Sequence, residues 1–433
     1  MKNKFIKSAF ILIIGGFITK VLGFIIRIMY IRRVGTIGIS LYTLIMPTYS
    51  LVVTISSFAM PITISKLIAQ KKMRSKDIVT TAVYIILFIS VLVMLLVIIF
   101  SSFIANCLLN EARVKVLLIG SVLSLPNMAL ACIFKGYFYG KQKMFINTIS
   151  NIIEQLIRII FIIFFLPYFT NISIVHGILS FLLINIITEG ASILTFLFFL
   201  PKNVNIKIDD IKYNKYISST IICESIPLVS TKIIGNIGYF LEPIILSNTF
   251  KYLGYGSDFF LREYGIYNGY SLSLLLLPSF IIQALSTALI PEISKYNSQN
   301  NIKMIKKRIK QSILISLIFG VLITIFIYFK RDYLLELLYK TKEGSNYIKY
   351  LSLFFILYYL EAPLSSILQA LNYSKYTLLT TGKGVLIKLL IMFIFSLFKI
   401  GLYSLLIAEC INIIYVVFKN FIKIYAIEKR TRN

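Results

Sequence analysis

FAMPITISK, residues 58–66, and TALIPEISK, residues 287–295, each close a long apolar stretch on Ile-Ser-Lys shortly after a proline. One such coincidence is cheap, so its weight depends on whether the surroundings repeat too. They do. TKVLG at 19–23 is matched by TKIIG at 231–235. GTIGISLY at 35–42 precedes the first Ile-Ser-Lys, and YGIYNGY at 264–270 precedes the second. KGYFYGK at 135–141 corresponds to QALNYSK at 369–375. The offset between partners grows from 212 to 229 to 234 residues, and the second half holds the longer connection, 248–263. Four pairs in the same order make the chain a tandem repeat.

The composition says what repeats. Of 433 residues, 58% are hydrophobic and only 14% charged, and the mean hydropathy is +0.86. Soluble domains carry about 25% charged residues. This is an all-α integral membrane protein. The first apolar stretch contains Gly15, Gly16, Lys20 and Arg27 and has no small-residue cleavage pattern, so it is expected to stay as a helix. The net charge of +28 suggests nucleic acid, but Lys and Arg gather in short segments between apolar runs, as membrane topology requires. No nucleic-acid partner is expected. The four cysteines have neither metal spacing nor close pairing and read as packing residues.

A span needs about 20 mostly apolar residues. Twelve are expected: 8–31, 41–69, 78–106, 114–139, 145–169, 174–200, 217–247, 264–290, 311–329, 346–371, 376–399 and 401–426. Spans one to six form an amino-terminal lobe, residues 1–200; a linker, 201–216, leads to a carboxyl-terminal lobe, 217–433. An even number of spans per half makes the two repeats parallel, an arrangement that recurs in transporters. Basic residues concentrate at one side: Lys2, Lys4 and Lys7, then Lys71, Lys72, Arg74 and Lys76, then Lys303, Lys306, Lys307, Arg308 and Lys310, with Lys429, Arg430 and Arg432 in the tail. Both termini are expected in the cytoplasm, with the chain in the cytoplasmic membrane.

Six stretches carry a family resemblance: GGFITKVLGFIIRI at 15–28, GISLYTLIMPTYSLVVTISSFAMPITISKLIA at 38–69, KGYFYGKQKM at 135–144, NIIEQLIRII at 151–160, YFLEPIIL at 239–246 and LLLLPSFIIQALSTALIPEISK at 274–295. With these the chain resembles the multidrug/oligosaccharidyl-lipid/polysaccharide (MOP) flippase superfamily, in its stage V sporulation protein B-like and polysaccharide-exporter branch. The resemblance implies two six-helix lobes around a central cavity, alternating access, and a polyprenyl-pyrophosphate-linked sugar as cargo. Members of that branch usually carry two further carboxyl-terminal helices. The related lipid II flippase has an arginine in helix eight, where span eight here has Gln283.

A charge at mid-membrane costs about 2.5–3.5 kcal/mol on insertion scales, so such residues face a cavity or a partner. Lys20 lies near the middle of span one. Arg27, seven residues on, is about 20° away around the helix, and Gly16 and Gly23 share that face. Lys232 is the repeat partner of Lys20. These three cations are the expected binders of a pyrophosphate, with a pair between Lys232 and Glu224 as the structural alternative. Glu154 and Arg158, four apart on span five, read first as an ion pair. Lys66 and Lys295 read as cations reaching out to the membrane surface, or as a gate or members of a structural ion pair. Glu224, Glu242, Glu409 and Asn412 are candidates for ion coupling, helped by Pro227 and Pro243, which would free carbonyls in span seven. Glu189, Glu361 and Lys388 have no role that the sequence assigns, and His176, the single histidine, reads as an interface residue.

No nucleotide loop, metal cluster or nucleophile–base pair appears, so a secondary transporter without a cofactor is expected rather than an enzyme. It would work as a monomeric unit whose partners are the anionic lipid-linked sugar and membrane lipid. Two alternatives stand beside the flippase. A cation-coupled multidrug antiporter would want acids in the first lobe, where span one has only Lys20 and Arg27. A non-transporting envelope or spore-assembly scaffold would not need paired lysines inside the membrane.

Overall fold

A computed structural model describes residues 2–70, 73–201, 214–299 and 301–430. Lys71, Lys72, Lys202, Lys207, Lys212 and Arg432, and most of the expected 201–216 linker, lie outside the described residues. Among those described, all regular structure is helical, because helices satisfy every backbone polar group within lipid. In chain order they are α1 (Lys2–Ser57), α2 (Met60–Gln70), α3 (Ser75–Phe103), α4 (Val114–Val122), α5 (Leu125–Gly140), α6 (Met144–Phe164), α7 (Leu166–Ile172), α8 (Ile174–Phe198) and α9 (Lys215–Tyr252). Then follow α10 (Ser257–Gly265), α11 (Leu272–Leu276), α12 (Ser279–Ser298), α13 (Ile302–Tyr339), α14 (Ser345–Ala370), α15 (Ser374–Ser396) and α16 (Tyr403–Arg430).

Nine helical stretches among the described residues are long and apolar enough to cross a membrane, or eleven when each of two bent pairs is one span. The sequence expectation of twelve departs from that count at the first stretch, Ile14–Gln70, which is 57 residues long. At about 1.5 Å per residue it is far longer than one crossing of a 30 Å core. Gly35 interrupts it with φ 67° and ψ −169°, where the expected connection between spans one and two falls. A count of twelve therefore needs this stretch to cross twice, turning at Gly35. That backbone region is open to glycine almost alone, and no heavy atom stands near a Cβ built there. Gly35→Ala is accordingly expected to cost about 1–3 kcal/mol through the backbone alone. Thermal unfolding in detergent checks it; an unchanged midpoint would mean the helix runs straight.

The bent pairs correct the simple picture of spans seven and eight. α9 bends by 44° between Lys215–Ser230 and Lys232–Tyr252, one turn beyond Pro227. Ser257–Leu276 and Ser279–Ser286 meet at 53°. The break there is Pro278, which offers no N–H to the helix and clashes with the preceding turn. Ile266–Ser271, between α10 and α11, is a π-helical turn.

Packing divides the chain into two compact units, residues 1–240 and 241–433. They differ from the expected lobes, because the first half of α9 belongs with unit 1. Ile217 and Ile221 sit in the same buried cluster as Met60 and Ile64 of α2, Ile78 and Ala82 of α3, and Ile133 and Phe138 of α5. Asn236 donates to Thr54 Oγ1 at 2.7 Å and accepts from Ser50 Oγ at 2.9 Å. Thr63 and Ser225 share a hydrogen bond of 2.9 Å.

The repeated Ile-Ser-Lys stretch has a packing reason inside each unit. In unit 1, α5 lays Gly136 and Gly140 on α2; a Cβ on them would stand 2.9 Å from the Pro61 carbonyl oxygen and 2.8 Å from that of Ser65. Small residues four apart let two backbones touch in lipid. In unit 2, Ser294 Oγ donates to the Ala370 carbonyl at 3.2 Å, joining α12 to α14. By repeat offset Ser294 and Ala370 correspond to Ser65 and Gly136, so equivalent helices meet in both units, with the partner on the second helix shifted by one turn. Unit 2 also packs α13 on α14, with Gly320 against the ring of Tyr359, and Ser312, Ser316 and Thr324 are buried on the same face of α13.

Candidate functional site

Lys20 on α1 and Lys232 on α9 are both exposed, and neither has an ion pair or side-chain hydrogen bond among the described residues. The expected structural alternative for Lys232, a pair with Glu224, is not what forms. Glu224 is held by Lys66, Nζ to Oε2 2.6 Å, between α2 and α9. Of the readings given to Lys66, the structural ion pair is the one that forms, rather than a side chain simply reaching for the surface. With side chains 49% and 35% exposed, this is a solvent-weakened pair. Its repeat counterpart Lys295 is exposed and has no such partner among the described residues, whereas nearby Glu292 pairs with Arg308 at 2.7 Å. Arg27 is exposed on α1. The space in front of Gly16 and Gly23 is open, while Gly15 is where α1 meets Thr148 of α6.

The expected Glu154–Arg158 pair is corrected by α5. Lys135 Nζ donates to Glu154 Oε1 at 3.1 Å, and both side chains are largely buried. Residues four apart on one helix can meet, but a lysine arriving from a neighbouring helix already neutralises this carboxylate. Arg158 is left with a buried Nε that has no hydrogen-bond partner. Its charge acts on Tyr42, Tyr49 and Glu189. Glu189 on α8 is 7% exposed, and its Oε2 also lacks a partner. Unit 1 thus holds a bridged pair, together with a guanidinium and a carboxylate that each bury an unpartnered atom. Sequence reasoning placed Arg158 in the pair and overlooked it as a free cation. Lys135, opposite two acids of one lobe, was the overlooked signal.

Unit 2 holds a buried triad. Lys388 on α15 reaches Glu242 Oε2 of α9 at 2.7 Å and Glu409 Oε2 of α16 at 2.6 Å. Its side chain is 17% exposed, and that of Glu242 4%. Asn412, three residues after Glu409, presents a buried Oδ1 with no hydrogen bond. Gly384, four before Lys388, leaves it room: a Cβ there would be 2.5 Å from that oxygen. So Glu242, Glu409 and Asn412, expected as ion-coupling groups, come together, while Glu224 lies apart in unit 1. Sequence reasoning assigned Lys388 no role, although it bridges two mid-span acids from other helices. Two carboxylates share one ammonium, so a bound proton or small cation would balance the charge. No cluster of three or more His, Cys, Asp or Glu suited to a metal occurs among the described residues.

The sequence profile described as polysaccharide biosynthesis protein matches residues 5–297, about two-thirds of the chain. The chain belongs to this polysaccharide biosynthesis protein family. A second profile, described as MatE, matches residues 269–394. The chain is 30% identical to stage V sporulation protein B of Bacillus subtilis over 409 residues, covering 91% of this chain and 78% of that protein. It is 23% identical to sporulation protein YkvU of the same organism, covering 86% and 84%. Among solved structures, it is similar to an inward-facing multidrug resistance MATE family transporter of the MOP superfamily, with a TM-score of 0.78 at 14% identity and 95% of each chain covered. It is also similar to the lipid II flippase MurJ in an inward closed conformation, with a TM-score of 0.67 at 18% identity, covering 96% of this chain and 87% of that one. Family and fold make it a multi-pass membrane transporter or flippase of the MOP superfamily rather than an enzyme.

Proposed function

We propose that the chain is a flippase for an anionic, lipid-linked sugar, which it carries across the cytoplasmic membrane by alternating access. The observation that carries this reading is the pair Lys20 and Lys232. Both are lysines in apolar helices, both are exposed, and neither is neutralised by a carboxylate among the described residues. Such cations persist in a membrane protein when a ligand uses them, and a pyrophosphate accepts strong charge-assisted hydrogen bonds. Arg158 is a third cation with capacity to spare. The polysaccharide family and the sporulation relatives point to envelope sugars as cargo.

The orientation belongs to the same reading. With both termini in the cytoplasm, a reporter active only there gives signal when fused after residue 433 and none within 248–263. The reverse pattern would overturn the orientation. The cargo is tested by native mass spectrometry of the purified chain. The expected adduct is a polyprenyl-pyrophosphate bearing sugar, lost in the Lys20→Gln, Lys232→Gln variant. Adducts of bulk phospholipid alone, unchanged in the variant, would count against the proposal.

Coupling is assigned to the Glu242–Lys388–Glu409 triad. A ligand shifts a conformational equilibrium only by its differential affinity for the two states. A proton or cation taken up by the spare carboxylate would weaken the hold of Lys388, giving such a difference. Transport in sealed vesicles should then respond to pH, sodium or potential, and Glu242→Gln with Glu409→Gln should blunt that response. An unchanged response in both variants removes the triad from the mechanism.

A further inference from the structure

Unit 2 contains a second polar feature, next to Glu409 of the triad but outside its salt bridges. A cavity of about 260 Å³ opens between α12 and α14, lined by Ser279, Gln283, Tyr358, Tyr359, Glu361 and Ser365 among others. Three of its hydroxyls are already engaged within the protein. Ser279 Oγ donates to the Leu276 carbonyl at 2.6 Å, Tyr359 OH to the Leu275 carbonyl at 2.8 Å, and Ser365 Oγ accepts from Asn420 Nδ2 at 3.2 Å. The other three polar groups are not. Gln283, Tyr358 and Glu361 make no side-chain hydrogen bond or ion pair among the described residues. Glu361 is half-buried, and the neighbouring charge acting on it is that of Glu409, also negative.

A carboxylate, a carboxamide and a phenol around one cavity, with no hydrogen-bond partner among the described residues, keep their hydrogen-bonding capacity for a ligand. The chemistry of the set narrows what that is. A pyrophosphate would be repelled by Glu361, which has no ion-pair partner among the described residues. A bare metal ion wants a tight shell of oxygens, whereas this space approaches the size of small-molecule pockets, about 300 Å³ and upward. A neutral polyol suits it. Its hydroxyls can donate to Glu361, exchange donor and acceptor with the Gln283 amide, and meet the Tyr358 hydroxyl, while the Tyr358 and Tyr359 rings cover its C–H face.

We propose that this cavity binds the hydroxyl groups of the sugar borne by the transported lipid, with Gln283, Tyr358 and Glu361 as the recognising groups. The proposal rests on the lipid-linked sugar reading above and adds the residues that recognise the sugar.

The test compares two water-soluble probes on the whole purified chain: a short-chain prenyl pyrophosphate, and the same carrier bearing a disaccharide. The unaltered protein should prefer the sugar-bearing probe by about tenfold, the worth of one charge-assisted hydrogen bond. Glu361→Gln, Gln283→Ala and Tyr358→Phe should each erode that preference and leave affinity for the bare carrier within about twofold. Lys20→Gln should weaken both probes alike. If the unaltered protein binds both probes equally, or if all three cavity variants keep the preference, the inference is overturned and the anionic-carrier reading stands. Binding of neither probe overturns both. If Glu361→Gln changes only a sodium or pH dependence of binding, the cavity holds a cation, and the sugar assignment is wrong.

Discussion

Replacing Lys388 by methionine is expected to lower the stability of the chain by about 3–5 kcal/mol, the cost of stranding buried charge when its partner is removed. Two carboxylates are stranded here, since Lys388 holds Glu242 at 2.7 Å and Glu409 at 2.6 Å. The loss should show as a lower unfolding midpoint in detergent. It should be largely recovered when Glu242→Gln and Glu409→Gln are added, because a neutral set of similar shape leaves no bare charge. The reference substitution is Lys141→Met. Lys141 lies exposed beyond the end of α5 over the ring of Tyr137, where a methionine changes little. If Lys388→Met unfolds no earlier than Lys141→Met, the triad is not a buried ion cluster in the working protein.

The second large effect concerns transport rather than folding. Lys20→Gln and Lys232→Gln should leave the chain inserted and should each slow transport about tenfold or more, since a hydrogen bond to a charged group is worth about 1.5–3 kcal/mol. No protein carboxylate is stranded by either change, as neither lysine has one within the described residues. Lys20→Arg should keep part of the rate, because it preserves the charge but not the compact ammonium. A stability loss comparable to the transport loss would mean that the lysines serve the fold.

The helical class, the tandem repeat and the flippase family were legible because hydropathy and repeated motifs are local properties of the chain. The Ile-Ser-Lys repeat marked places where two helices meet in each unit, at Ser65 with Gly140 and at Ser294 with Ala370. Three things were not legible. The π-turn at Ile266–Ser271 is a shift in hydrogen-bond register that its residues do not announce. The assignment of residues 215–240 to unit 1 depends on tertiary burial of Ile217 and Ile221, not on the position of a polar linker. The ion partners depend on how helices are rotated against one another. Depth and the repeat singled out Lys20 and Lys232, which have no ion pair among the described residues. Depth failed for Glu154, whose partner Lys135 comes from another helix, and for Lys388, whose partners are far away in sequence.

The decisive measurement is translocation itself. The chain is reconstituted in sealed vesicles holding a labelled polyprenyl-pyrophosphate sugar, and the label is followed as it becomes accessible to a membrane-impermeant reagent on the opposite face. The flippase account predicts that the chain speeds this movement over protein-free vesicles and that the Lys20→Gln, Lys232→Gln double variant returns it to the background rate. Background movement with the unaltered chain, together with gradient-driven export of a cationic dye by the same vesicles, would contradict it and make the chain a drug antiporter.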